Sequence, residues 1–147
     1  MPDKLLFIDT ETGGLDPARH SLLSLAMVVW EDTQILDSQE ILIDDGILSV
    51  TAEVLAGHNV HFDAAFLRTF FALNNKDYSK FFSHRMIDTS SILHYLHLAG
   101  RLKQKATSSD QAFGLFDIQV EGRHTALGDA VATAELFTEL LNLIRAE

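Results

Sequence analysis

Three short stretches of this 147-residue chain combine residue types and spacings that could do chemistry. The first is Asp9-Thr10-Glu11, which closes the apolar run Leu5–Ile8. Residues i and i+2 of a strand project to the same face, so both carboxylates would point together. Two close carboxylates repel unless they are protonated or bridged by a cation, and hard oxygen donors suit Mg²⁺ or Mn²⁺. The second stretch is His58-Asn59-Val60-His61-Phe62-Asp63, where a strand-like run leads into a helical one. The third is His124-Thr125-Ala126-Leu127-Gly128-Asp129, at the head of the last helical stretch.

Taken singly, each stretch has a simpler explanation. An acid-x-acid spacing arises about three times by chance at this acid content, so the first could be a solvated strand end. Asp63 reads as a helix N-cap with Phe62 in the core. Thr125 reads as a second cap, with Asp129 favoured by the dipole of the helix it opens and His124 structural. Only the three together point to a site.

The elements that must position them follow from periodicity. Leu5–Ile8 suits a buried central strand, and Gly13 and Gly14 mark a turn after it. Leu22–Trp30 and Gln34–Ile43 read as strands joined through Glu31-Asp32-Thr33, completing an antiparallel meander. Val54–His58 is a further short apolar run. Ala65, Phe66, Phe70 and Leu73 recur at helical spacing behind Asp63. Met86-Ile87 forms a short strand and Thr89–Leu98 a helix ending near Gly100. Lys103–Asp110 is polar and expected to be a mobile loop. In the final segment Leu127, Val131, Ala134, Phe137, Leu141 and Ile144 make one apolar stripe, with Glu135, Thr138, Glu139 and Asn142 facing away. Strands first, then strands alternating with helices, imply an α/β fold with a mixed sheet flanked by helices.

Composition narrows the function. The length suits one domain, residues 1–147, and the hydrophobic content of 47% suits a single core. The absence of cysteine excludes disulfides, zinc-thiolate sites and thiol nucleophiles. The N-terminus does not read as a secretory leader and no apolar stretch is long enough to span a bilayer, so a cytoplasmic protein without a membrane partner is expected. A net charge of −10, with only 11 Lys and Arg, argues against a processive clamp on duplex DNA. It leaves room for an enzyme that takes a few terminal nucleotides into a site where cations supply the positive charge.

In combination the three stretches resemble the motifs of the DEDDh exonuclease superfamily, which includes the proofreading subunit of bacterial DNA polymerase III and ribonuclease T. Asp9 and Glu11 match the first motif within FIDTETGGL, Asp63 the second within GHNVHFDAAFL, and His124 and Asp129 the third within RHTALGDAVATAELF. The resemblance covers nearly the whole chain. It implies a ribonuclease H-like fold, a five-stranded mixed sheet whose first three strands are antiparallel. It also implies that Asp9, Glu11, Asp63 and Asp129 hold two divalent cations, which activate the attacking water and stabilise the leaving 3′ oxygen. His124 would take the proton from that water. Thr12, Leu15, His58 and Phe62 would receive the terminal nucleotide: Thr12 through its backbone and Leu15 as an apolar wedge under the last base.

The activity so implied is 3′–5′ exonuclease action on single-stranded DNA ends, releasing nucleoside 5′-monophosphates, with a DNA polymerase subunit among the implied partners and proofreading as one setting. The same five residues would serve an oligoribonuclease or RNA-trimming enzyme, distinguished only by tolerance of a 2′-hydroxyl. A catalytically silent binding module would be marked by loss of a signature residue, and none is lost. One departure is plain. Between the third strand and the second motif stand only residues 44–53, where relatives carry a longer segment with a helix. Ten residues span at most roughly 35 Å, so this segment is shortened, by natural trimming or by removal of a piece.

Overall fold

The computed structural model describes residues 4–43 and 54–146, so the shortened segment 44–53 lies outside the described residues. β1 (Lys4–Thr12), β2 (Leu22–Glu31) and β3 (Gln34–Leu42) form the expected antiparallel meander. The turn between β2 and β3 holds Asp32 and Thr33 at φ of 47° and 67°. Two left-handed residues in a two-residue loop twist the hairpin in the sense that its strands require. β4 (Val54–Gly57) runs parallel to β1, and β5 (Met86–Asp88) parallel to β4. The sheet order β3-β2-β1-β4-β5 puts β1 at the centre. This is the five-stranded mixed sheet of the ribonuclease H-like architecture.

A central strand is covered on both faces, and its alternation decides which residue meets which helix. Leu6 and Ile8 enter a core with Val60, Ala64, Leu67 and Phe71 of α1 (Val60–Leu73). Leu5 and Phe7 enter a second core with Ala126, Ala130, Ala134 and Phe137 of α4 (Ala126–Arg145). There Phe7, Trp30 and Phe137 pack as tilted and edge-on rings, with centroids 5.1 to 6.4 Å apart. A third core joins α4 to α2 (Thr89–Leu98) and α3 (Ser109–Leu115) through Leu93, Leu96, Phe113, Leu136 and Leu140. No helix among the described residues is long and apolar enough to cross a membrane.

Four expectations need correction. α1 begins at Val60, so Asp63 lies within its first turn and Asn59 holds the cap position. The strand β1 continues past Asp9 to Thr12, because its pairing with β2 persists to the irregularity between Glu11 and Thr12. The polar stretch 103–110 gives way at Ser109 to α3, whose N-cap is the Ser108 side chain. α4 buries two flanks rather than one stripe: Ile144 is exposed, while Thr138 accepts a hydrogen bond of 2.9 Å from the Trp30 indole. A helix wedged between a sheet and two other helices needs a wider apolar surface than one lying on a single face.

Candidate active site

The two-residue period of β1 sorts its last acids between the two cores. Thr10 falls on the α1 side with Leu6 and Ile8, and its hydroxyl donates to Asp63 Oδ1 at 2.6 Å. That bond ties the strand end to the first turn of α1, where Asp63 is 4% exposed. Asp9 and Glu11 fall on the other side, with Leu5 and Phe7, facing the head of α4 where Asp129 stands in the first turn. Burial pushes the Asp9 carboxyl up to about 8, helped by the charges of Asp63, Asp129 and Glu11. Burial likewise lifts Asp63 to about 6, against the hydrogen bond from Thr10. Carboxyl groups from three elements therefore act on one another's charge around the end of β1.

The head of α4 is built tightly. Thr125 caps it as expected, accepting from Gly128 N at 3.1 Å and donating to Gly122 O at 2.6 Å. Gly128 has no room for a side chain, because a Cβ there would overlap the carbonyl oxygens of Glu121 and Gly122. The turn so held carries His124 in the left-handed region, at φ 66°. His124 is exposed and makes none of the contacts that would mark a core histidine. It stands near enough to Asp110 for its charge to act on that carboxylate.

The nucleotide-binding candidates divide. Leu15 is 84% exposed beyond the end of β1, free to meet a base. Thr12 folds its hydroxyl back onto Gly14 O at 2.8 Å, leaving its backbone as the part that a ligand could reach. Phe62 is half-buried against Phe66, with centroids 5.1 Å apart. His58 is half-buried at the end of β4, its Nδ1 3.0 Å from Thr89 Oγ1, and burial lowers its pKa. Asp88 holds the adjoining turn by accepting from Asn59 N at 2.9 Å and capping α2.

One residue of the site has no part in the expected set. Arg123 donates through Nη1 to Asp129 Oδ2, through Nε to Asp110 Oδ1 at 2.8 Å, and through Nη2 to Ser109 Oγ at 2.9 Å. Its position directly before His124 was the one signal for it in the sequence. Its partners Ser109 and Asp110 open α3, at the end of the stretch 103–110 expected to be a loop. Thr10, the donor to Asp63, was equally silent between its two acidic neighbours.

Among the described residues no three His, Asp or Glu side chains are gathered closely enough to hold a cation as they stand. Yet the donor set fits a hard cation. Asp129 Oδ1 is buried with no hydrogen-bond partner, and Asp9 sits among carboxylates with too little positive charge to balance them. Each is a defect in a protein interior that a divalent cation bound by oxygen would remove.

Comparison with known proteins agrees with the fold. The nuclease domain of 3′hExo, a DEDDh family member bound to rAMP, superposes with a TM-score of 0.72 at 15% identity, covering 96% of this chain and 92% of that one. Exonuclease X in complex with 5′ overhanging duplex DNA gives 0.68 at 19% identity, over 94% and 91% of the two chains. Escherichia coli exonuclease I with a dT13 oligonucleotide gives 0.80 at 15% identity, over 98% of this chain and 42% of that one. In sequence, a PolC-type DNA polymerase III of Latilactobacillus sakei is 27% identical over 166 aligned positions. That alignment takes in 92% of this chain but spans only 11% of the polymerase. The family model described as exonuclease matches residues 45–137, more than half of the chain, beginning after the first motif. The chain therefore belongs to that exonuclease family.

Proposed function

We propose that residues 1–147 form a single cytoplasmic exonuclease domain that removes nucleotides one at a time from single-stranded DNA 3′ ends, releasing nucleoside 5′-monophosphates. The observation that supports this reading is Asp129 Oδ1, buried and unpartnered, near enough to Asp9, together with Glu11 and Asp63, for their charges to act on it. In this reading those four residues hold two divalent cations, Mg²⁺ or Mn²⁺. When bound, the cations supply the positive charge that activates a water for in-line attack and offsets the charge of the leaving 3′ oxygen.

The remaining steps belong to the chain. His124, exposed on its strained turn, accepts the proton of the attacking water at an imidazole nitrogen. Thr10 holds Asp63 in one rotamer, so that its second oxygen keeps a fixed direction. Leu15 and Phe62 flank the terminal base, the Thr12 backbone meets its backbone, and His58 stands beside them. DNA is favoured over RNA because the relative in sequence is a DNA polymerase, aligned over 92% of this chain. The same likeness supports work beside a polymerase, in proofreading.

The experiment is product analysis on matched DNA and RNA oligonucleotides with free or phosphate-blocked 3′ ends, in Mg²⁺ and in EDTA. Expected are mononucleotides released distributively from free DNA ends, and no activity in EDTA. Faster release from RNA would favour the RNA-trimming reading. Cleavage in mid-strand, or full activity in EDTA, would overturn the exonuclease and its metals respectively. A chain that binds oligonucleotide in Mg²⁺ without cutting it would be a silent binding module.

A further inference from the structure

Arg123 is the one basic side chain, among the described residues, whose charge bears on Asp9, and it also bears on His58. Its outer edge is fixed. Nε is held by Asp110, Nη2 by Ser109, and the guanidinium carbon lies 5.5 Å from the centroid of Phe113. Only Nη1 reaches inward, to Asp129. The pair is mostly shielded from water, with side-chain exposures of 23% and 16%. Arg123 leaves Asp129 half-satisfied, since the other oxygen is buried without a partner. A cation drawn to that carboxylate must contend with the guanidinium already on it.

We propose that Arg123 is a phosphate-binding residue held on Asp129 until a divalent cation claims that carboxylate, whereupon the freed Nη1 N–H groups donate to the phosphate of the substrate. The inference rests on the reading of Asp129 as a cation ligand. A guanidinium anchored by its outer donors cannot leave the site when displaced, and its remaining N–H groups suit a phosphate oxygen. In a chain of net charge −10, a fixed cation beside the carboxylates gives a polyanion something to bind. It also keeps Asp129 paired when no metal is present, since an unpaired buried charge is costly.

Three measurements on the full chain test the exchange. The first follows the arginine side-chain ¹⁵N resonances of the wild-type protein in EDTA and in Mg²⁺, alongside the melting temperature. Expected is a shift of the Arg123 Nη signals on Mg²⁺ addition, with Nε, on Asp110, little changed. The second titrates Arg123→Gln with Mg²⁺ and reads the midpoint of the rise in melting temperature. Expected is binding tighter than wild type by on the order of tenfold, from loss of a close charged competitor. The third measures thymidine 5′-monophosphate binding to the Mg²⁺-saturated proteins, expected to be on the order of tenfold weaker in the variant. Unchanged Nη signals in a protein that Mg²⁺ stabilises would overturn the exchange and leave the exonuclease reading standing, even if Arg123→Gln did not fold. Equal nucleotide binding by the two proteins would overturn the phosphate role. No response of either protein to Mg²⁺ would overturn the cation reading and this inference with it.

Discussion

At the scale of single residues, the site is made of groups placed against their own preferences. His124 occupies the left-handed region, where a residue with a Cβ is strained by on the order of 1–3 kcal/mol. It is exposed, so little packing would be lost on replacement. His124→Gly should therefore leave the melting temperature unchanged or raise it slightly, and His124→Ala should change it little. Both should lose about a hundred- to ten-thousandfold in turnover, the range for removal of a general base. Calorimetry and turnover on one preparation check this. A folded variant with near-normal turnover would return His124 to a structural role.

At the scale of elements, the first turn of α4 and the turn before it are one unit. Glycine in a helix costs about 1 kcal/mol relative to alanine, so propensity alone favours Gly128→Ala. Here a Cβ would overlap two backbone carbonyl oxygens, which cannot rotate away as a side chain can. Overpacking of this kind costs typically about 1–3 kcal/mol, enough to reverse the propensity gain. Gly128→Ala should lower the melting temperature. Because the displaced turn carries Arg123 and His124, it should lower kcat far more than the small unfolded fraction explains. Paired thermal melts and initial rates at a temperature well below the transition measure both, and a more stable variant with full kcat would refute the argument.

At the scale of the whole molecule, burial and mutual charge set folding against function at the site's carboxyl groups. Asp9 and Asp63 have folded values of about 8 and about 6, both above the ordinary 3.8. The native state therefore binds more protons than the unfolded chain over this interval, and stability falls as pH rises. The stabilising effect of the retained protons is complete below about pH 4. It is lost as pH climbs through 6 and then 8. In EDTA the melting temperature should decline from pH 5 to 9, and saturating Mg²⁺ should flatten that slope by binding the native state alone. Asp9→Asn should raise the melting temperature in EDTA at pH 8 while abolishing hydrolysis. A flat profile in EDTA, or a slope of opposite sign, would show that the carboxylates do not repel one another as described.

The amino-acid sequence by itself determined the sheet, the meander and the order of the motifs, because these depend on local periodicity. Leu5–Ile8 can hardly be other than a buried strand, and the alternation of β1 alone sends Asp9 and Glu11 to one face. The five candidate site residues came from the resemblance of three short strings to family motifs, not from periodicity. What the tertiary structure decided are relations between elements. Asp63 proved an interior residue of α1 bound to Thr10, since only the packing of α1 on β1 brings a hydroxyl to it. α4 proved to bury two flanks, since only the docking of α2 and α3 makes its second side a core. Arg123 met Asp110 and Ser109 because α3 folds against the head of α4, joining residues thirteen and fourteen positions apart. Such contacts leave no period in the chain, as they depend on where whole elements come to rest against each other.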